Sequence, residues 1–163
     1  MYIRDPLFDE VAEYYDLDPD WIRAVARIES NLQEDVEPRW EPHIHEHSYG
    51  VGQFLPSTAL WVARTRQLFP MPPHVRASLL DAADKSLFQG PSPVAIELMT
   101  PEIGTYLIGA YLRYNLNRYN EDLGKAVAAY NAGSARHRDG TGQFVNQWHV
   151  DKFFAALDEL KDA

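Results

Sequence analysis

Three short stretches carry side chains that could do chemistry, and Glu29 leads them. Asp18 is of the type that caps a helix, Pro19 suits the first helical position, and Asp20 favours the positive helix end. From there Ile22, Val25 and Ala26 mark one apolar stripe at helical spacing, and Glu29 is the next position on it. A carboxyl in line with the buried face loses water, and the nearby helix C-terminus also disfavours its negative charge. Both raise its affinity for a proton, which suits a general acid at neutral pH. The plainer alternative is a helix rotation that leaves Glu29 at the edge of the stripe, in water or paired with Arg27.

The second stretch is Ser48-Tyr49-Gly50-Val51-Gly52-Gln53-Phe54-Leu55-Pro56-Ser57-Thr58-Ala59. Glycines two apart permit a tight backbone path or close approach of a ligand, and Gln53 offers a donor and an acceptor to sugar hydroxyls or amides. Its alternative is a plain turn before a helix at Pro56. The third is Ala129-Tyr130-Asn131-Ala132-Gly133, which alone reads as a helix end with a glycine cap and a buried tyrosine.

The elements that must position these residues are helical by periodicity. Helices are expected over 6–15, from Pro19 through Glu29, over 56–69, 75–87, 101–119, 122–132 and 150–160, with Pro70 as a stop and Gly133 as a cap. Ile103, Leu107, Ala110, Tyr111 and Tyr114 are expected on one side of their helix. The segment 34–48 is polar and broken by Pro38 and Pro42, so it reads as an irregular loop or a small hairpin, and 136–142 as a polar loop. The fold class expected is all-α, or a mainly helical α+β arrangement with a small hairpin in 34–50. No repeat, low-complexity tract or linker divides 1–163, which is read as a single domain.

Bulk properties limit the partners. The chain has 163 residues, 45% hydrophobic and 24% charged, an ordinary globular composition with room for a core. Its formal charge of -9 argues against nucleic acid, whose phosphates need a basic patch, and gives no help toward an anionic polymer. With no cysteine, disulfides, thiol catalysis and cysteine-based zinc sites are excluded. The first twenty residues lack the basic and apolar regions of an export signal, and no stretch nears the ~20 apolar residues of a membrane span.

Glu29-Ser30, then Gly50-Val51-Gly52-Gln53 with Pro56 and Thr58-Ala59, then Ala129-Tyr130-Asn131-Ala132-Gly133 stand in the order found in soluble lytic transglycosylases (SLT). There the patterns read E-S, G-L-M-Q-(two apolar)-P-x-T-A and A-Y-N-A-G. The chain resembles that family and the goose-type lysozymes from about Phe8 to Gly133, and the stretch from Pro101 to Tyr114 looks like the family's helix before A-Y-N-A-G. The resemblance implies a goose-lysozyme-like helical domain with its cleft beside Glu29. It implies peptidoglycan glycan strands as substrate and cleavage of the β-1,4 bond between N-acetylmuramic acid and N-acetylglucosamine. It further implies that Glu29 protonates the leaving oxygen and then serves as base for the muramyl 6-hydroxyl, closing a 1,6-anhydro ring with no cofactor and no metal. By the same resemblance Gln53 and Tyr130 contact substrate, Ser48 contacts an acetamido group, Asn131 holds the helix end and cleft wall, and Ser30 orients the active-site helix.

The sequence departs from the family at several points. Gly52 and Leu55 stand where methionines are common, Gly104-Thr105 replace an asparagine-isoleucine pair, and Gly109 is shifted. The loop from Glu29 to Gly50 is long, and 71–98 looks like an insertion of the kind that sets substrate range.

Other readings rest on that long loop. His43, His45 and His47 would share one face of an extended segment and could bind zinc; the alternative is a solvated loop at the cleft mouth. One of Asp35, Glu37, Glu41 or Glu46 could hold a water opposite Glu29, which would make the enzyme a hydrolytic, goose-type-like lysozyme. A module that binds glycan or builds a virion without cutting is the third possibility. Trp40 is the tryptophan best placed to stack on sugar, with Trp21, Trp61 and Trp148 in or near helical patterns and expected to be core or partly buried. A wall-cleaving chain without an export signal suggests a bacteriophage endolysin or virion protein, a monomer or part of a larger assembly. A bacterial enzyme shorn of its signal is the other option.

Overall fold

A computed structural model describes residues 5–33, 35–85 and 92–163. Among them are helices α1 (Asp5–Tyr15), α2 (Pro19–Ser30), α3 (Pro56–Arg64), α4 (Pro73–Ala83), α5 (Pro93–Leu98), α6 (Pro101–Arg118), α7 (Leu123–Ala132) and α8 (Gln147–Lys161). The strands β1 (Arg39–Glu41) and β2 (Glu46–Ser48) form one antiparallel pair, with Arg39 opposite Ser48, Trp40 opposite His47 and Glu41 opposite Glu46. The mainly helical expectation therefore holds, and the 34–50 segment is the small hairpin rather than the irregular loop; Glu34, where that segment begins, lies outside the described residues.

Proline sets the helix starts. It occupies the first turn of α2 through α6, where its missing N–H removes no helical bond and its fixed φ suits the helix. Asp18 caps α2 by accepting from the Asp20 N–H at 2.9 Å, as its position suggested. The start of α3 has no such cap from Leu55. Glu46 of β2 supplies it instead, its carboxylate accepting from the Ser57 hydroxyl at 2.6 Å and the Ser57 N–H at 3.3 Å. A negative group at a helix N-terminus also meets the positive end of the dipole. The hairpin is thereby pinned to the helix that follows the glycine turn.

Several boundaries differ from the periodicity. The helix expected over 56–69 stops at Arg64, because the Thr65 hydroxyl donates back to Trp61 O at 2.7 Å and buried Arg76 takes Ala63 O and Phe69 O, each at 2.5 Å. Pro70 is not the stop. The helix expected over 75–87 runs Pro73–Ala83, and its expected end at Leu87 falls outside the described residues. Helix α5, capped by Ser92 accepting from the Ala95 N–H at 3.3 Å, was not expected; its six residues are too few for a periodicity to register. Helix α8 begins at Gln147, three residues before the expected start.

The core forms around α6. Instead of burying one side, α6 is buried at every position from Ile103 to Leu112, with α1, α2, α3, α4, α5 and α7 packed about it. The spacing of Ile103, Leu107, Ala110 and Tyr111 marks only one side of the helix, whereas Gly104, Thr105, Tyr106, Ile108, Gly109 and Leu112 on its other sides are enclosed as well. Phe8, Val11 and Tyr15 of α1 join this core, and the Tyr15 hydroxyl donates to Pro70 O at 2.9 Å. Among the described residues no helix is long and apolar enough to cross a membrane.

Candidate functional site

Glu29 sits one residue before the end of α2. Ile22, Val25 and Ala26 below it are at most 1% exposed, so the stripe faces the core as its spacing required. Helix α8 closes over the same face with His149, Val150, Phe153, Ala156 and Leu157. The Glu29 side chain is left 6% exposed. Its Oε2 lies 3.7 Å from an Arg39 guanidinium nitrogen and its Oε1 lies 3.7 Å from His149 Nε2. Both separations exceed hydrogen-bonding distance, so neither contact compensates burial in full. Burial raises the carboxyl to about 7, Arg39 and Lys152 lower it in part, and Glu41 adds to the rise. The same burial, with Lys152 and Arg39 nearby, pushes His149 down to about 4. Near neutral pH the pair is thus a carboxyl poised to give or take a proton beside an uncharged imidazole.

A cleft of about 560 Å³ opens over Glu29. One wall is the hairpin and the glycine turn, with Arg39, Glu41, Ser48, Gly52 and Gln53. The other is the end of α7, with Tyr130, Asn131 and Gly133. Gly50 (φ +75°) makes the turn, and a Cβ there would meet Leu98 O at 1.8 Å, so both the conformation and the space require glycine. At Gly52 a Cβ would lie 2.5 Å from the Phe54 ring and 2.8 Å from Ile108 Cγ1. The absence of a methionine there follows from that packing: Phe54 and α6 close on the backbone directly.

Ser48 and Gln53 are tied to each other. The buried Ser48 hydroxyl lies 2.9 Å from Gln53 Oε1 and 3.3 Å from Glu41 Oε1, while Gln53 Nε2 donates to Gly50 O at 2.9 Å. Gln53 also holds a left-handed backbone, φ 50°, with its N–H to Gly50 O at 3.1 Å. One amide hydrogen and the outer face of its oxygen remain for a ligand. Tyr130 is buried, its hydroxyl donating to Gly52 O at 3.1 Å and its ring packed on Phe54 and Tyr111. That single bond joins the two walls. Asn131 accepts at Oδ1 from Asn146 Nδ2 at 2.9 Å, and the same amide donates to Ala128 O at 3.0 Å, locking the end of α7 to the start of α8. Ser30 is the expected residue that does not line the cleft; its buried hydroxyl donates to Ala26 O at 2.9 Å and finishes α2.

Of the four loop acids, Glu41 alone lines the cleft, held by Arg39 Nε at 2.8 Å. Glu46 caps α3, and Asp35 and Glu37 do not line the cleft. His43 lines the cleft, while His45, in the turn with φ 58°, and His47 both approach the Trp40 ring, at 6.0 and 5.0 Å. Among the described residues no three His, Asp or Glu side chains gather to hold a metal ion. Trp40 is exposed as expected and Trp21 half-buried, but Trp61 and Trp148 are 42% and 56% exposed rather than in the core. Trp61 rests edge-on against Phe69 and Tyr114, and Trp148 against His149 with Lys152 over its ring.

Sequence reasoning missed Arg39 and His149. Nothing in the sequence marks Arg39, whose place depends on hairpin register. His149 did leave a signal: it stands four residues before Phe153, on the apolar stripe of α8.

A mainly helical fold with a short hairpin and a deep acid at the cleft floor is of the lysozyme-like class. Residues 88–147 match the family model described as Transglycosylase SLT domain, and this match supports the SLT and lysozyme-like family for the chain. Members of that family are lytic transglycosylases acting on peptidoglycan. The matched stretch holds Tyr130 and Asn131, while Glu29, Ser30, Ser48 and Gln53 precede it. No curated protein and no solved structure matches the chain.

Proposed function

We propose that the chain, as one catalytic domain, is a peptidoglycan lytic transglycosylase that cuts the β-1,4 bond between N-acetylmuramic acid and N-acetylglucosamine. One observation carries the reading: a carboxyl with proton affinity near neutral, at about 7, lies at the floor of a cleft whose walls bear Ser48, Gln53, Tyr130 and Asn131. Protonated Glu29 gives its proton to the leaving glycosidic oxygen. The carboxylate so formed takes the proton of the muramyl 6-hydroxyl as that oxygen bonds to C1, which regenerates the acid and leaves a 1,6-anhydro end. The substrate's acetamido oxygen steadies the charge at C1, so a second protein carboxylate is not needed. Gln53 and Ser48 present hydrogen-bonding groups to the sugar, Tyr130 fixes the glycine turn against α7, Asn131 holds the cleft wall, and Ser30 finishes and so orients α2.

Glu41 supports a second reading, since it shares the cleft with Glu29. As a carboxylate holding water it would make the enzyme a hydrolytic muramidase. Mass spectrometry of products released from purified peptidoglycan separates the two. Ends of 1,6-anhydromuramic acid, absent with Glu29→Gln, are expected. Reducing ends, one water heavier, would establish the hydrolase, and no release from walls of several types would leave a binding or structural module.

A further inference from the structure

The two oxygens of Glu29 have different neighbours. Oε2 faces Arg39, whose side chain is 54% exposed and already engaged with Glu41 at 2.8 Å. Oε1 faces the buried side, where His149 Nε2 lies 3.7 Å away on a side chain that is itself only 6% exposed. The mechanism above leaves a bare carboxylate in this pocket between donation and recovery of the proton. A charge there is costly without a donor, and water has little access.

We propose that His149 is the positioning residue of Glu29: its Nε2–H closes onto Oε1 when Glu29 ionises, holding the carboxylate while Oε2 stays turned to the substrate. This rests on Glu29 being the acid of the proposed reaction. No proton leaves His149; the ring donates a hydrogen bond and withdraws it as Glu29 is reprotonated. A histidine fits because it is uncharged here, buried beside Lys152 and Arg39. A second permanent cation, buried in its place, would add to the lowering that the half-exposed Arg39 already exerts on Glu29, and an apolar side chain would leave the carboxylate unsupported. The titratable and charged groups around the pair are Arg39 and Glu41 from the hairpin, Tyr130 from α7 and Lys152 from α8 itself. The ring is carried by α8, the helix packed directly on α2, and Asn146 anchors the start of α8 to Ala128 O. The packing of the two helices thus holds the ring next to Oε1, and side-chain rotation covers the remaining gap.

The test compares His149→Gln, which keeps an N–H donor near the Nε2 position, with His149→Phe, which keeps the ring volume. On peptidoglycan, His149→Phe is expected to lower kcat about 10- to 100-fold with KM little changed, and His149→Gln to recover most of it. The Glu29 carboxyl, titrated by carbon NMR of labelled protein, should move up by about one to two pH units in His149→Phe and stay near its native value in His149→Gln. The sign follows because removing a donor to the ionised form favours the protonated one. If Phe restores function where Gln does not, or the Glu29 titration is the same in all three proteins, the side chain merely fills space and the proposal fails. If the native protein releases no glycan products, the proposed function falls, and the titration alone decides the Glu29–His149 coupling: an upward shift in the Phe variant upholds it, and its absence overturns it.

Discussion

Glu29 and Glu41 line one cleft and are built in opposite ways. Glu29 belongs to the α2–α8 floor, with its side chain 6% exposed and its two oxygens outside hydrogen-bonding reach of Arg39 and His149. Glu41 belongs to the hairpin wall, 31% exposed, and accepts from Arg39 Nε at 2.8 Å with the Ser48 hydroxyl at 3.3 Å. The floor is helix packed on helix, which excludes water. The wall is a short strand pair whose edge stays wet. The same functional group therefore has its proton affinity raised by burial on the floor and anchors Arg39 on the wall, because burial disfavours the charged form of Glu29.

The sharpest way to break this comparison is Glu29→Gln. The amide keeps the shape and cannot donate or recover a proton, so glycan release should fall at least ~100-fold, the usual scale of general acid–base catalysis. Product release assayed over time checks this, and a variant retaining native rates would remove Glu29 from the reaction.

The same substitution should act on stability with the opposite sign. Burial lifts Glu29 to about 7, above the ordinary carboxylate value of 4.5, so the folded chain holds that proton where the unfolded chain has lost it. Its contribution is intact below about 4.5 and is lost as pH rises through about 7, a loss of roughly 3 kcal/mol. Glu29→Gln should therefore raise Tm at pH ~8 by several degrees and change it little near pH ~4. His149 runs the other way: held near 4 against an ordinary 6.5, it adds stability above 6.5 that is lost as pH falls toward 4. Thermal unfolding across the pH range reads both, and a native-like pH profile for the Gln variant would show that Glu29 is not buried as described.

Tyr130→Phe tests what joins the two walls of the cleft. It removes the bond to Gly52 O and leaves that carbonyl unpaired while keeping the ring packing on Phe54 and Tyr111. A cost of about 1–2 kcal/mol is expected in denaturant unfolding, with a rise in KM as the glycine turn loosens. A loss no larger than a few tenths of that would mean the turn is held by packing alone.

The smallest effect is expected from Glu41→Gln. If the wall carboxylate only anchors Arg39, turnover should change about two- to fivefold, the scale of a partly exposed ion pair. A drop as deep as that of Glu29→Gln would transfer a catalytic role to Glu41 and favour the hydrolytic reading.

Much of the fold could be read in advance because its signals are local. Proline at helix starts, Asp18 as a cap and apolar spacing along α2 and α8 depend on neighbours within a turn or two. The placement of Glu29 on the buried face is of this kind, and so is Gly133 ending α7 with φ 80°. Helix α6 departs from its periodicity in one respect, burial on all sides from Ile103 to Leu112, because enclosure depends on how many other helices arrive. Helix α3 ended early for a similar reason: Arg76, a dozen residues further on, takes the Ala63 carbonyl.

The sequence by itself determined which residues could serve as acid, turn and cap, and in what order they occur. Periodicity and backbone preference are written residue by residue. Only the tertiary structure decided that Arg39 and His149 approach Glu29 from opposite sides, that Glu41 rather than Asp35, Glu37 or Glu46 enters the cleft, and that His43 lines it while His45 and His47 approach Trp40. Those outcomes depend on strand register within the hairpin and on the packing of α8 over α2, the second of which joins residues more than a hundred positions apart. The desolvation that raises the Glu29 carboxyl to about 7 exists only once those elements have closed around it.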